Sequence, residues 1–308
     1  MKKLWVVILI LLSAPAFAQQ DALFSQYMFN KLVINPAYAG TRQALSVNLI
    51  GRKQWAGLNG APATATLSIH APLRNDRMGL GGYVYSDVIG PMVNTGLIAA
   101  YSYKINLGPG KLSFGLQGGL QYTDVDWSKV KMNDPDDVVY LEGLQEKKRW
   151  VPDANFGLYY YGPQFYVGLS SKHLFEQQFG LIEDQDNSVY GTLLRHFYLM
   201  GGYAFKVKED RFVIHPSALI KYTKNSPVQA DINLSMLFSN VFWIGVSYRT
   251  EGTFVALAEV VISDRFRIGY SYDVFLNQLG VSNKGSHEIM IGYDFPVFNN
   301  RMLSPRYF

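Results

Sequence analysis

The sequence predicts an all-β protein: a transmembrane antiparallel β-barrel of about 14 strands with both termini on the periplasmic side. Three observations predict it. Side chains alternate between apolar and polar along segment after segment, the period of a strand with two unlike faces. The apolar faces carry no Lys, Arg, Asp or Glu in the clearest segments. A charge at mid-membrane on a lipid-facing strand costs about 2–4 kcal/mol, whereas water imposes no such ban. Composition agrees: aromatics are 15% of 308 residues, with 21 Tyr, 19 Phe and 28 Gly, and no Cys. A barrel expects this mixture, apolar outside, small and polar inside, with aromatic girdles at both rims.

The chain opens with Met1-Lys2-Lys3, then an apolar run from Leu4 to Leu12, then Ala16-Phe17-Ala18. A basic start, a short apolar core and a small-x-small site predict a secretory signal peptide over 1–18. The apolar run is too short to cross a bilayer as a helix. No cysteine stands near the cut to carry a lipid. Without Lys2 and Lys3 the formal charge falls from +4 to +2, too little to predict a nucleic-acid partner. Residues 19–41 are expected to form a periplasmic N-terminal lead-in, 42–296 the outer-membrane barrel and 297–308 a periplasmic C-terminal tail.

Period and turn chemistry place strands near 42–52, 62–71, 77–87, 94–106, 111–124, 153–161, 164–173, 193–206, 211–223, 227–238, 241–250, 253–263, 265–275 and 286–296. In "RFRIGYSYDVF", Phe266, Ile268, Tyr270, Tyr272 and Val274 oppose Arg265, Arg267, Gly269, Ser271 and Asp273. In "KLSFGLQGGLQYT", Leu112, Phe114, Leu116, Leu120 and Tyr122 oppose Ser113, Gly115, Gln117, Gly119 and Gln121. A soluble sandwich also alternates, but its polar face is normally rich in Lys and Glu; here that face is Gly, Ser, Asn and Gln. Tight turns at "NLGPGK", "YGPQ", "VKEDR", "FSNVF" and "ISDRF" alternate with longer links, notably 126–152 and 174–192. Short periplasmic turns and long outer loops are the barrel habit. Tyrosines at strand ends, among them Tyr85, Tyr103, Tyr122 and Tyr248, are expected in the girdles.

Lys104, Lys221, Arg249, Arg265, Arg267, Asp231, Glu259, Asp273, Glu288 and Asp294 fall on polar faces and are expected in the lumen. Both signs occur, so they suit either a hydrogen-bonded filling or the lining of a water-filled pore. Trp243 and Val255 also fall inside and favour a partly filled lumen. The most charged loop, 132–148, offers Asp134, Asp136 and Asp137, with Trp150 just beyond, as candidate outer-loop contacts. Its carboxylates suit Ca²⁺ chemically but lack EF-hand spacing, so a solvated loop is the plainer reading. The five histidines are scattered, and neither a G-x-S-x-G elbow nor an H-E-x-x-H pair is present. No enzymatic activity, cofactor or metal site is therefore predicted.

"FSQYMFNKLVINPAYAGT", from Phe24 to Thr41, is neither a clean helix nor a clean strand, and Asn35-Pro36 marks a turn. Its candidate contact residues are Phe24, Tyr27, Phe29, Asn35, Pro36 and Tyr38. Three readings stay open: packing on the periplasmic rim, a cap or plug of the lumen, or a docking strip for a periplasmic partner. This stretch also carries a resemblance, together with "RKQWAGLNGAPATATLSIHAPL", "GLGGYVYSDVIGPM", "RIGYSYDV" and "GSHEIMIGYDF". The chain resembles the PorP/SprF family of Bacteroidetes outer-membrane proteins of the type IX secretion system, over essentially its whole mature length. The resemblance implies a fourteen-stranded barrel in the cell outer membrane that serves type IX secretion and, in gliding species, gliding motility through delivery of surface adhesins. It implies as partners a secreted protein with a type B C-terminal domain, the periplasmic PorK/PorN ring and an OmpA-like peptidoglycan-binding protein. The expected function is binding, positioning or anchoring of that secreted protein; the alternative is an outer-membrane diffusion or uptake channel.

Overall fold

The period of two becomes a closed antiparallel wall in the computed structural model, which describes residues 21–74, 76–130, 149–182, 189–207, 212–263 and 265–297. The strands are β1 (Ala44–Lys53), β2 (Ala63–Pro72), β3 (Met78–Ile89), β4 (Met92–Leu107), β5 (Gly110–Val125), β6 (Arg149–Tyr161), β7 (Phe165–Lys172), β8 (Gln178–Ile182) and β9 (Val189–Thr192). They continue with β10 (His196–Tyr203), β11 (Phe205–Val207), β12 (Phe212–Thr223), β13 (Gln229–Phe238), β14 (Phe242–Arg249), β15 (Thr253–Ile262), β16 (Phe266–Phe275) and β17 (Ser286–Pro296).

Each wall strand pairs antiparallel with its sequence neighbours, and β1 closes on β17 from Ala44↔Pro296 to Lys53↔His287. β10 and β11 are one stave interrupted at Ala204, since both pair with β12. The wall therefore has fourteen staves, the predicted number, each overlapping a predicted span. β8 and β9 pair only with each other, as a small hairpin within the long link between β7 and β10. That hairpin was not predicted.

The outward faces are what hydrocarbon selects. Leu97, Leu116, Ile232, Leu234 and Val246 are among many large apolar side chains left exposed. In the described strands, Lys, Arg, Asp and Glu on the outward face occur only at strand ends, as with Lys53 and Asp124. Closed pairing leaves no free edge, the condition for a sheet in lipid.

The five predicted tight turns all lie at one end of the wall, here the turn end, where β1 starts and β17 stops. The links at 54–62, 126–148, 173–195 and 276–285 lie at the other, the loop end, with shorter ones such as Gly90-Pro91.

The predicted lumen charges are buried: Lys104, Lys221, Arg249, Arg267, Asp231, Glu259, Asp273, Glu288 and Asp294. Arg265 is the exception. It sits before β16, in the turn where its carbonyl accepts from the Asp294 amide, and it is exposed. Tyr85 also departs from expectation. It shares the inward parity of the buried Tyr83 and lies beside that ring at 6.2 Å, so it belongs to the lumen and not to a girdle.

Candidate functional site

The lumen is filled by the chain's own N-terminal segment. Asp21–Thr41 runs along the inside of the wall from the loop end to the turn end, and then turns back into β1. Three short 3₁₀ turns, Tyr27–Phe29, Lys31–Val33 and Pro36–Tyr38, punctuate it. Local chemistry explains the last turn. Asn35 precedes proline and is extended, at φ −134° and ψ 113°, because proline's ring excludes the helical region for its neighbour. Its side chain caps the turn by accepting from the Ala37 amide at 2.9 Å, and Pro36 occupies the first turn position, where no amide is needed. Gly40, at φ 62°, makes the reversal toward β1, and a Cβ there would meet the backbone of Gly79 at 2.7 Å.

Of the three readings left open for this segment, the described residues take that of a plug inside the lumen, not of packing on the periplasmic rim. The described chain starts at the loop end and stops at the turn end. Phe24, Tyr27 and Phe29 do not sit on a rim. Tyr27, Asn35, Pro36 and Tyr38 are buried, and Phe24 and Phe29 are partly buried against the core. The lumen is less polar than the strand patterns suggest. Tyr159, Tyr166, Met200, Leu219, Leu237, Trp243 and Leu257 line an apolar layer that receives the segment's Tyr27, Leu32, Ala37 and Tyr38. Tyr38 meets Tyr159 edge-on at 5.6 Å, and Phe29 meets Trp243 edge-on at 6.0 Å.

An irregular segment enclosed in a barrel must find partners for its backbone away from water. Wall side chains supply them. Gln117 Nε2 donates to the Leu32 carbonyl at 2.9 Å and Ser170 Oγ to the Ile34 carbonyl at 2.8 Å. Ser113 Oγ donates to the Ala37 carbonyl and Ser102 Oγ to the Ala39 carbonyl, both at 2.7 Å. Lys104 Nζ donates to the Gly40 carbonyl, and the Gly40 amide donates to His70 Nδ1 at 3.1 Å. Asn35 Nδ2 donates to the Leu158 and Leu169 carbonyls at 2.9 and 3.3 Å. Each such bond contributes about 0.5–1.5 kcal/mol net. Glycines on the wall make the room: a Cβ on Gly115 would strike Ala37, and one on Gly157 would strike Asn35 and Pro36.

Nearer the loop end the contact is ionic. The backbone amides of Ser25 and Gln26 donate to the two carboxylate oxygens of Glu288, each at 2.8 Å. Arg52 holds this arrangement: Nη1 donates to Ser25 Oγ at 2.9 Å and to Glu288 at 3.0 Å, and Nη2 to Asp273 at 2.7 Å. All three charged side chains have no solvent exposure. Arg249 pairs with Asp231 through both carboxylate oxygens, at 2.8 and 3.1 Å. Towards the turn end, Asp294 accepts from Arg42 at 2.9 Å and from Ser46. Lys31 is buried without a carboxylate partner among the described residues. Its Nζ donates to the Met28 carbonyl at 2.7 Å and lies 4.6 Å from the centre of the Tyr166 ring. A small cavity remains beside the segment at the loop end, lined by residues including Phe24, Lys172, Tyr198, Lys221 and Arg249.

The predicted outer-loop residues are not brought to this site. Asp134, Asp136 and Asp137 lie outside the described residues. Trp150 is the second residue of β6. It faces outward beside Tyr122 at 5.3 Å and is 58% exposed, in the position of a girdle residue at the loop end.

Residues 16–293 match the profile of a family described as type IX secretion system membrane protein PorP/SprF. The chain belongs to that family. No curated protein matches the sequence. Among solved structures, the CymD monoaromatic hydrocarbon channel is 13% identical with a TM-score of 0.50, covering 90% of this chain and 94% of that one. The P. putida toluene transporter TodX is 11% identical with a TM-score of 0.48, covering 89% and 95%. The Acinetobacter baumannii outer membrane protein Omp33 is 7% identical with a TM-score of 0.48, covering 83% and 100%. At such identity the likeness is one of fold. Barrel and family together make this PorP/SprF protein an outer-membrane protein.

Several residues of the PorP/SprF lumen were not singled out by sequence reasoning. Ser25, Gln26, Arg52 and Asp21 anchor the segment, yet Ser25 and Glu288 are 263 positions apart and no local pattern links them. One signal was available: Arg52 is the only Arg or Lys on the inward face of β1, and a buried guanidinium is costly without a carboxylate opposite it.

Proposed function

We propose that this chain is a non-enzymatic component of type IX secretion that binds and positions a secreted protein carrying a type B C-terminal domain. In this reading the turn end faces the periplasm, toward the PorK/PorN ring and an OmpA-like peptidoglycan-binding protein. The loop end, with the β8–β9 hairpin and the link at 126–148, faces outward toward the secreted protein. The observation that carries the reading is the occupied lumen. A segment bonded to the wall from Ser25 to Gly40 leaves a rigid scaffold, and a scaffold acts through its ends. Long links on a rigid wall are where partner contacts are placed.

The test is deletion of the gene followed by proteomics of the cell surface and medium. Loss of a specific set of proteins with type B C-terminal domains, restored by the wild-type gene, is the expected result. An unchanged surface and secretome would overturn the reading. The rival, a diffusion or uptake channel, requires the luminal segment to leave the barrel. Steady, large, solute-selective currents from purified wild-type protein in planar bilayers would favour it.

A further inference from the structure

At the loop end, three potential metal ligands from distant parts of the chain converge. Asp21 begins the luminal segment, His173 follows β7 and His196 opens β10. Their ligand atoms lie within 4.8 Å of one another. Both histidines are buried, His196 completely. His173 Nδ1 lies 3.0 Å from Asp153 Oδ2, and His196 Nδ1 lies 2.8 Å from the Leu194 carbonyl oxygen. A carboxylate or carbonyl on one ring nitrogen fixes the tautomer and turns the other nitrogen into a ligand, the usual support of a metal-binding histidine. His173 Nε2 points at Asp21 Oδ1, 2.8 Å away. His196 Nε2 is buried and has no hydrogen-bond partner among the described residues. A fully buried nitrogen without a partner costs about 1–3 kcal/mol, and it calls for an occupant that hydrogen bonding here does not supply. The remaining oxygen of Asp21, Oδ2, is held by Lys172 Nζ and Tyr198 Oη, both at 2.9 Å, so Oδ1, which faces His173 Nε2, is the oxygen left for a metal.

The geometry points to a divalent transition-metal site, of the type that takes Zn²⁺, formed by Asp21 Oδ1, His173 Nε2 and His196 Nε2. Two imidazoles and one carboxylate are a zinc-type donor set, and the soft thiolates that would select Cu(I) are absent from a chain with no Cys. Tetrahedral zinc sets its ligands about 3.3 Å apart, so donors all within 4.8 Å of one another reach it by small side-chain rotations. The metal fastens the first described residue of the luminal segment to the wall where β7 and β10 leave it. This inference stands on the side-chain cluster alone and is independent of the secretion reading.

The test uses the untagged full chain, folded in detergent and stripped with a chelator, because polyhistidine tags bind zinc. Titration calorimetry with Zn²⁺ is expected to give one equivalent per chain, and Co²⁺ in its place is expected to give the visible absorption of a tetrahedral nitrogen–oxygen site. His196→Gln and His173→Gln are each expected to abolish stoichiometric binding. Asp153→Asn, which alters the support of His173 and leaves all three ligands in place, is expected to weaken it by about 10–100-fold. Circular dichroism checks that each variant keeps its barrel. Absence of stoichiometric Zn²⁺ binding by the folded wild type overturns the proposal. So does undiminished affinity in the folded His196→Gln variant.

Discussion

Replacing Arg52 by Ala tests whether the luminal segment is held by the ionic anchor near the loop end. Arg52 is the cation for both Asp273 and Glu288, at 2.7 and 3.0 Å, with all three side chains unexposed. The next cation is Arg249, 3.8 Å from Asp273. Removing one member of a buried ion pair costs about 3–5 kcal/mol, because the partner charge stays buried without compensation. Here that penalty falls on the docked state. If the segment leaves, water enters the lumen and solvates both carboxylates, while the backbone ladder of the fourteen staves is untouched. The docking equilibrium is therefore expected to shift by about two to three and a half orders of magnitude. The chain has no native Cys, so Val33→Cys, a small change at a buried position of the segment, provides a single thiol. Its maleimide labelling rate reports the undocked fraction. In the Arg52→Ala background the rate is expected to rise by that factor, up to the rate of a free thiol. A folded Arg52→Ala barrel that labels no faster than the parent would refute the reasoning.

Gly157→Val places side-chain atoms where Asn35 and Pro36 sit, and is expected to displace the segment and produce conductance in a barrel that is otherwise silent in planar bilayers. Asn35→Ala loses the turn cap and two bonds to the wall, a cost of about 1–3 kcal/mol, and is expected to speed Val33→Cys labelling by about tenfold to a hundredfold. Lys31→Met keeps the length of a buried side chain that lacks a carboxylate partner among the described residues; no acceleration of the same labelling is expected, since a buried charge contributes little net stability. Val246→Arg puts a charge on the lipid face of β14, where Val246 is 59% exposed, and is expected to lower folding stability in vesicles by about 2–4 kcal/mol, read from the urea midpoint.

The strands were legible because alternation is a local property. Phe266, Ile268 and Tyr270 face away from Arg267 and Gly269 whatever the rest of the chain does, and lipid then forbids charge on one of the two sides. The luminal segment was legible only as an anomaly. Its 3₁₀ turns bury residues at no regular spacing, and the partners of its backbone come from five different staves. Tyr85 was misassigned because a tyrosine near a strand end looks the same in a girdle and in a lumen. Arg265 was misassigned because the period was started one residue before β16 begins. Asp21, His173 and His196 gave no sequence signal as a group, since His173 lies 152 positions from Asp21.

The sequence by itself determined the wall: the number of staves, the side that meets lipid and the family. These follow from covalent geometry at each residue and from the cost of placing charge in hydrocarbon. Only the tertiary structure decided what the wall encloses. Closing fourteen staves brings Tyr159, Tyr166 and Trp243 from separate strands into one apolar layer and sets Glu288 opposite the amides of Ser25 and Gln26. That complementarity exists only once the ring is shut, and so the choice between an open pore and a filled one is made by contacts hundreds of residues apart.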